Sequence, residues 1–361
     1  MKLCFLADGQ SIHSYRWVKF FADQGHAVTW VSLSPSQFEP LKNVTYVQLT
    51  KKGWGVGLIV SIWRLRALIR RSSFDAVHVH SVGTYGLLGF FSGSDRIVAT
   101  PWGSDVIYGK NSLFKRPFIV GILKSARLIT CDAWHMRDQV MELGVGAERI
   151  QIINFGIDSV RFSPPSIGGT PDPARSPMVI SLRNFEPVYD ISTLLRAIPL
   201  VLRVHPAVRF TIVGRGSLAE ELKAQAQRLG IHAAVQFIGF VPNDQLPELL
   251  RSADVYVSTS LSDAGIAAST AEAMACGRAV VITDSGENGK WVRDGFNGFL
   301  VPVSQPEILA ERICRLLSDA DMRHSFGAAA RTVIMERNDY TVEMTKMQAL
   351  YQALAAKLQS A

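Results

Sequence analysis

The chain of 361 residues is poor in cysteine, and none of what it has is paired. Its four cysteines, Cys4, Cys131, Cys276 and Cys314, are scattered with no Cys-x-x-Cys, which excludes a disulfide scaffold and argues against a zinc site. They read as free thiols in a reducing compartment. A secretory leader is not expected either: after Lys2 the first apolar run, Leu3 to Ala7, is five residues long before Asp8 stops it, too short for a signal-peptide core. A cytosolic location is expected, with attachment to the inner face of a membrane as an option. Charged residues make up 19% against 48% apolar, so disordered and fibrous classes are excluded. One stretch, Ala76 to Ser94, has no charge for nineteen residues and reaches the length of a membrane span. It contains His78, His80 and four glycines, and a strand followed by a short Gly-rich helix explains it better than a span that buries two imidazoles. At roughly 150 residues per domain, the length predicts two domains.

Acidic residues are missing from two places. Residues 51 to 71 hold Lys51, Lys52, Arg64, Arg66, Arg70 and Arg71, and residues 106 to 131 hold Lys110, Lys115, Arg116, Lys124 and Arg127, with no Asp or Glu in either. The net charge of +7 is accordingly uneven: residues 1 to 155 carry 18 basic and 10 acidic side chains, and the remainder 20 and 21. Both stretches interleave cations with apolar residues such as Trp54, Ile59, Trp63, Phe114 and Phe118. That pattern fits helices lying on an anionic membrane, and equally two amphipathic helices with solvated basic faces. No nucleic-acid motif accompanies the basicity, and nucleic acid is not expected as a partner.

Strand-like and helical patterns alternate throughout. Apolar runs at 3–7, 26–33, 75–80, 96–100 and 127–131 read as strands of a parallel sheet covered on both faces. A helix starting near Ser14 ends before Gly25. The alternation restarts at 178–183, 209–214, 235–239, 255–259, 279–283 and 298–301. Between the two series, residues 163 to 177 contain five prolines and read as a linker. The expected fold is α/β, two doubly wound Rossmann-like domains: residues 1–160, residues 161–340, and a C-terminal helix, 341–361, that packs back on the first domain.

Ligands of open parallel sheets bind at the carboxyl ends of strands, where loops enter helices. Four such places stand out: Asp8-Gly9-Gln10, Gly214-Arg215-Gly216-Ser217, the run from Ser260 to Gly265 ahead of Ser269, Thr270 and Glu272, and Arg183 at the end of the strand 178–183. The Gly214 loop also fits a dinucleotide fingerprint. It is not in the first strand–helix unit, however, and the next strand ends in Phe240 instead of an acid for a ribose, so an oxidoreductase is rejected. Asp319-Ala320-Asp321 mimics a metal-binding pair but sits at a helix start, where capping explains it. No metal is expected.

Three segments, "INFGIDSVRFSP" (153–164), "FIGFVPNDQLPELLRSADVYVSTS" (237–260) and "AEAMACGRAVVITDSGENGKWVRDGFNGFLV" (271–301), resemble the glycosyltransferases of the GT-B fold, family 4 (glycosyl transferases group 1). The resemblance covers almost the whole chain and implies two domains facing across a cleft. It further implies a retaining transfer from a UDP- or GDP-linked sugar, with no other cofactor, to a glycan, lipid-linked or small-molecule acceptor held by the first domain. It assigns Glu272 to the ribose diol, Arg183, Ser269 and Thr270 to the leaving diphosphate, Phe240 and Val241 to the base, and Gly9, Gly214 and Gly265 to close approach of the donor. Three positions depart from the family. Val188, beside Tyr189, stands where a Lys is usual. Ala264 replaces a carboxylate, with Asp263 one step away as the substitute for a sugar contact. Trp102 replaces a His in the turn Trp102-Gly103-Ser104-Asp105, leaving Asp105 as that turn's polar candidate. His13, in the first loop, is an acceptor-side candidate together with Trp102, whereas His78 and His80 read as structural. For Arg183 an ordinary ion pair with Asp190 is the competing reading. Two other functions stay open at this point: a sugar-nucleotide epimerase of the same fold, and a catalytically idle scaffold subunit.

Overall fold

The structure is a computed structural model that describes residues 1–49, 56–107, 111–165, 175–263 and 265–359. Lys51, Lys52, Trp54, Lys110, Ala264 and residues 166–174 of the expected linker lie outside the described residues. The chain divides into two compact units, Met1–Phe155 with Glu343–Ala361, and Gly156–Val342.

The first unit is built on seven parallel strands, β1 (Lys2–Leu6), β2 (Ala27–Ser32), β3 (Val44–Gln48), β4 (Ala76–His80), β5 (Ile97–Thr100), β6 (Leu128–Cys131) and β7 (Ile150–Ile152), in the order β3-β2-β1-β4-β5-β6-β7. Every residue of β4, β5 and β6 is buried, which is why these strands read as uncharged runs without a solvent-facing polar alternation. Its helices are α1 (Ile12–Asp23), α2 (Val56–Arg71), α3 (Thr84–Ser92), α4 (Ser104–Ile107), α5 (Arg116–Ser125) and α6 (Trp134–Glu142). Helix α1 begins where the Ser11 hydroxyl accepts the Ser14 amide and stops at Gly25, whose φ of 80° a side chain would resist. The uncharged stretch 76–94 is β4 plus the short α3, and among the described residues no helix is long and apolar enough to cross a membrane.

The second unit repeats the plan with six parallel strands, β8 (Met178–Leu182), β9 (Arg209–Val213), β10 (Val235–Ile238), β11 (Val255–Ser258), β12 (Ala279–Thr283) and β13 (Phe299–Val301), ordered β10-β9-β8-β11-β12-β13. Around them lie α7 (Ile191–Val204), α8 (Ala219–Arg228), α9 (Leu246–Ser252), α10 (Ala268–Ala275), α11 (Pro306–Ser318) and α12 (Ala320–Arg337), and α13 (Tyr340–Gln359) ends the described chain. Asp319 caps α12, its carboxylate accepting the Met322 amide at 2.8 Å, so the Asp-Ala-Asp run starts a helix.

Two features of the second unit explain the connector "INFGIDSVRFSP". Gly156 takes φ 73° and donates its amide to Asn338, and Ile157 bridges to Asp339. Arg331 then spans the carbonyls of Ser159, Phe162 and Ala275. Helix α13 belongs to the first unit from Glu343 onward: the fully buried Glu343 accepts the Asn154 amide at 2.8 Å, and the buried Tyr351 hydroxyl meets His78 Nδ1. In each sheet the strand order reverses beside the first strand, at β1/β4 and at β8/β11, and ligand crevices of doubly wound sheets form outside the carboxyl ends at that point.

Candidate active site

In the second unit the carboxyl ends of β8, β9 and β10 and the start of α10 enclose a cavity of about 460 Å³. Arg183, Tyr189, Gly214, Phe240, Val241, Ser269 and Glu272 all line it, so the structure brings most of the expected donor residues to one wall. Arg183 is the residue after β8 and its side chain is only 9% exposed. It pairs with Asp263, which is 7% exposed, and its guanidinium lies 4.3 Å from the centroid of the Tyr189 ring. The Arg183 Nε is buried with no partner among the described residues.

Asp263 therefore takes a different part from the one its position suggested. Both of its oxygens face inward, one to Arg183 and the other to Asn288 Nδ2 at 3.3 Å; it serves as the counter-ion of Arg183 and not as an open carboxylate. The expected rival pairing of Arg183 with Asp190 does not form. Asp190 caps α7, accepting the Thr193 amide and hydroxyl at 3.3 and 2.6 Å and the Ser304 hydroxyl at 3.1 Å.

Other assigned residues are redirected as well. The Thr270 hydroxyl is buried against the Tyr256 hydroxyl at 3.4 Å, whereas Ser269 reaches the same phenol at 2.8 Å from the cavity wall. Burial pushes the Tyr256 phenol above its ordinary range, and nearby Arg183 opposes that rise, so the phenol stays protonated and can donate to Ser269. Gly265 lies in the bend before α10 and is not among the described residues of the cavity wall. Gly214 and Gly216 are required by a protein contact: a Cβ at either would strike the backbone of Arg183 or Phe185, which crosses over them. Glu186 ties that crossing down by accepting the Ser217 amide and hydroxyl at 2.9 and 2.7 Å, and those bonds hold its carboxyl below the usual range.

The candidates in the first unit sit near the carboxyl ends of β1, β4 and β5. A side chain at Gly9 would collide with the Tyr46 hydroxyl, so the missing Cβ is explained by internal packing, and the expected approach of a donor is not needed to account for it. Asp105 is committed to the fold: it accepts the amides of Val82, Trp102 and Val106 at 2.8 to 3.0 Å. Trp102 stands between the His13 ring, 5.4 Å away, and the buried His80 ring, at 5.8 Å. Burial lowers His13, helped by Arg16, and holds His80 down at about 3, which leaves it neutral across the physiological range. His78 bonds Thr100 at 2.6 Å as well as Tyr351, the structural role expected of it.

Sequence reasoning passed over Asn184, Arg215 and Asn243 on the cavity wall, and Asn288 behind Asp263. Arg215 lay inside a loop already marked by its glycines; Asn288 gave no local signal, because its role depends on a residue 25 positions away.

Two doubly wound domains, the second with a cavity at the carboxyl ends of its strands, are the architecture of the GT-B fold. The family described as "Glycosyl transferases group 1" matches residues 168–333 and "Glycosyl transferase 4-like" matches residues 2–133; the chain belongs to this family and is a glycosyltransferase. It is similar to the phosphatidyl-myo-inositol mannosyltransferase of Mycobacterium tuberculosis H37Rv, 29% identical over 82% of this chain and 79% of that one. The protein of the same name from Mycolicibacterium smegmatis is 28% identical over 96% and 90%. Among solved structures, Anabaena Alr3699/HepE in complex with UDP superposes with a TM-score of 0.79 at 18% identity, covering 98% of this chain and all of that one.

Proposed function

We propose that the protein is a retaining glycosyltransferase that takes a hexosyl group from a UDP- or GDP-linked donor and passes it to a glycolipid or lipid-linked acceptor at an anionic membrane surface. The observation that carries the donor half is the convergence of Arg183, Phe240, Ser269 and Glu272 on one cavity. Glu272, on the first turns of α10, accepts the two ribose hydroxyls, a task suited to a carboxylate. Phe240 and Val241 take the base. Arg183, whose buried Nε has no partner among the described residues, donates to the diphosphate as charge grows on it, a preorganised electrostatic contribution. The resemblance to the family supplies the retaining course, and the named mannosyltransferase relatives make a mannosyl group the first donor to try.

Surface chemistry in the first unit supports the acceptor half. Helix α2 buries Gly57, Ser61 and Leu65 and turns Val56, Ile59, Val60 and Trp63 outward. Leu58, Ile62, Leu68 and Ile69 pack toward the core, and a second apolar stripe faces solvent, with Val56 77% and Trp63 64% exposed. Helix α3 lies between α2 and α5 and adds Phe90 and Phe91, and ahead of α5 Leu113 and Phe114 are 89% and 86% exposed. Large apolar patches ringed by cations mark membrane-binding surfaces.

Thermal stabilisation by a panel of nucleotides and nucleotide sugars tests the donor reading. One UDP- or GDP-sugar is expected to stabilise the parent, by about 2.7 kcal/mol at 100 times its Kd, and Glu272→Gln should abolish most of that effect without lowering the unliganded melting temperature. A variant that binds every donor as the parent does removes Glu272 from the ribose.

A further inference from the structure

Arg183 brings little net charge to the cavity. Its partner Asp263 is as buried as it is, so the pair is nearly neutral when viewed from the cavity, and Glu272 on the wall is itself anionic. Position 188, where the family resemblance calls for a second cation, is Val. A nucleoside diphosphate nonetheless arrives with about two negative charges or more, and an anion of that size needs a cation that is not already neutralised.

Among the described residues of the cavity wall the remaining cation is Arg215. Its backbone is fixed: its carbonyl accepts the Phe185 amide at 3.0 Å, and the glycines on either side pack against the crossing segment 183–186. The side chain is left to project from the loop between β9 and α8. Its guanidinium lies 5.3 Å from the centroid of the Phe240 ring, and among the described residues no carboxylate pairs with it. An exposed cation–π contact of this kind is worth about 0.5–1 kcal/mol, less than a charge-assisted bond to phosphate. The contact with Phe240 can therefore be exchanged for one with a phosphate, at the moment when the base needs the ring.

Resting on the donor reading above, we infer that Arg215 is the residue that supplies the net positive charge for the donor's diphosphate, in place of the missing Lys, and that it clears Phe240 for the base as it does so. This divides the work between two arginines: Arg215 contributes mainly to ground-state affinity, and Arg183 to the departing charge.

Calorimetric titration of the parent, Arg215→Ala and Arg215→Lys with UDP, GDP, uridine and guanosine tests the assignment, with circular dichroism to confirm folding. Removal of a charge-assisted contact should weaken the preferred diphosphate about tenfold or more. The matching nucleoside should change by less than about twofold or bind slightly better, because Phe240 is uncovered. Arg215→Lys should fall between, and the salt dependence of diphosphate binding should be shallower in Arg215→Ala than in the parent. Unchanged diphosphate affinity in Arg215→Ala, or equal losses for nucleoside and diphosphate, overturns the assignment while leaving the donor site in place. A parent that binds neither UDP nor GDP overturns both.

Discussion

Asp263 shows how much a single position matters. It stands one residue from where the family places a sugar-contacting carboxylate, and that step puts it under the surface, on Arg183 and Asn288. A buried ion pair is costly to break from one side, because the surviving charge keeps its desolvation penalty and loses its partner, a loss of about 3–5 kcal/mol. Asp263→Ala should therefore lower stability by that amount in chemical denaturation, and adding Arg183→Met should recover much of it, since two apolar groups need no counter-ion. If Asp263→Ala denatures at the same midpoint as the parent, the pair is not holding a buried charge. Arg183 and Phe240 were legible in the sequence because each stands in the loop just after a strand, and Glu272 because it lies in the stretch that resembles the family signature. The Asp263 pairing was not, since it joins residues 80 positions apart, and neither was Thr270's turn toward Tyr256, which is set by the helix phase of α10.

At the scale of elements, the buried strands were the easiest to read. Runs such as "AVHVH" and "AVVIT" are uncharged and buried throughout because both faces are covered, and the expected bounds fall within a residue or two of those observed. β3 and β7 escaped notice for the opposite reason: they lie at the two edges of the first sheet, and β3 is only half-buried while β7 is three residues long. Gly277, in the signature stretch, takes φ 69° after α10 and turns its carbonyl toward α12. Inside α12, Gly327 lies against the Gly277 carbonyl, and a Cβ at Gly327 would overlap it. Helix propensity alone predicts that Gly327→Ala gains about 1 kcal/mol. Backbone cannot step aside as a flexible side chain can, however, and overpacking of this kind costs about 1–3 kcal/mol. The clash wins: Gly327→Ala should lower the melting temperature, and a rise would show that α12 can shift away from Gly277 without loss.

For the whole molecule the charge distribution sets the question. Eighteen basic against ten acidic side chains in residues 1 to 155, and near balance in the rest, leave the cations of α2 and α5 beside outward-facing apolar residues. Charge would act through long-range attraction and the apolar side chains through insertion, and the two respond differently to salt. Arg66 is a poor probe of the first, because its Nε donates to the Phe91 carbonyl at 2.7 Å and helps seat α2 on α3. Arg70 and Arg71, both exposed in the last turn of α2, are the better choice. Each cation near an anionic bilayer contributes about 1 kcal/mol, screened beyond a Debye length of ~10 Å at 0.1 M salt. Reversing both to Glu should thus weaken sedimentation with phosphatidylserine-containing vesicles by about a hundredfold at low salt, and much less at high salt. Trp63→Ala should weaken it by a similar factor at both, since burial of an indole is not screened. Donor binding measured in solution should survive every one of these changes, because the cavity of Arg183 and Glu272 is built wholly from the second unit. A parent protein that stays in the supernatant with anionic vesicles at low salt would remove the membrane from the proposed function and leave a soluble acceptor, and equal losses from the charge reversals at low and high salt would show that the helix had been damaged and not discharged.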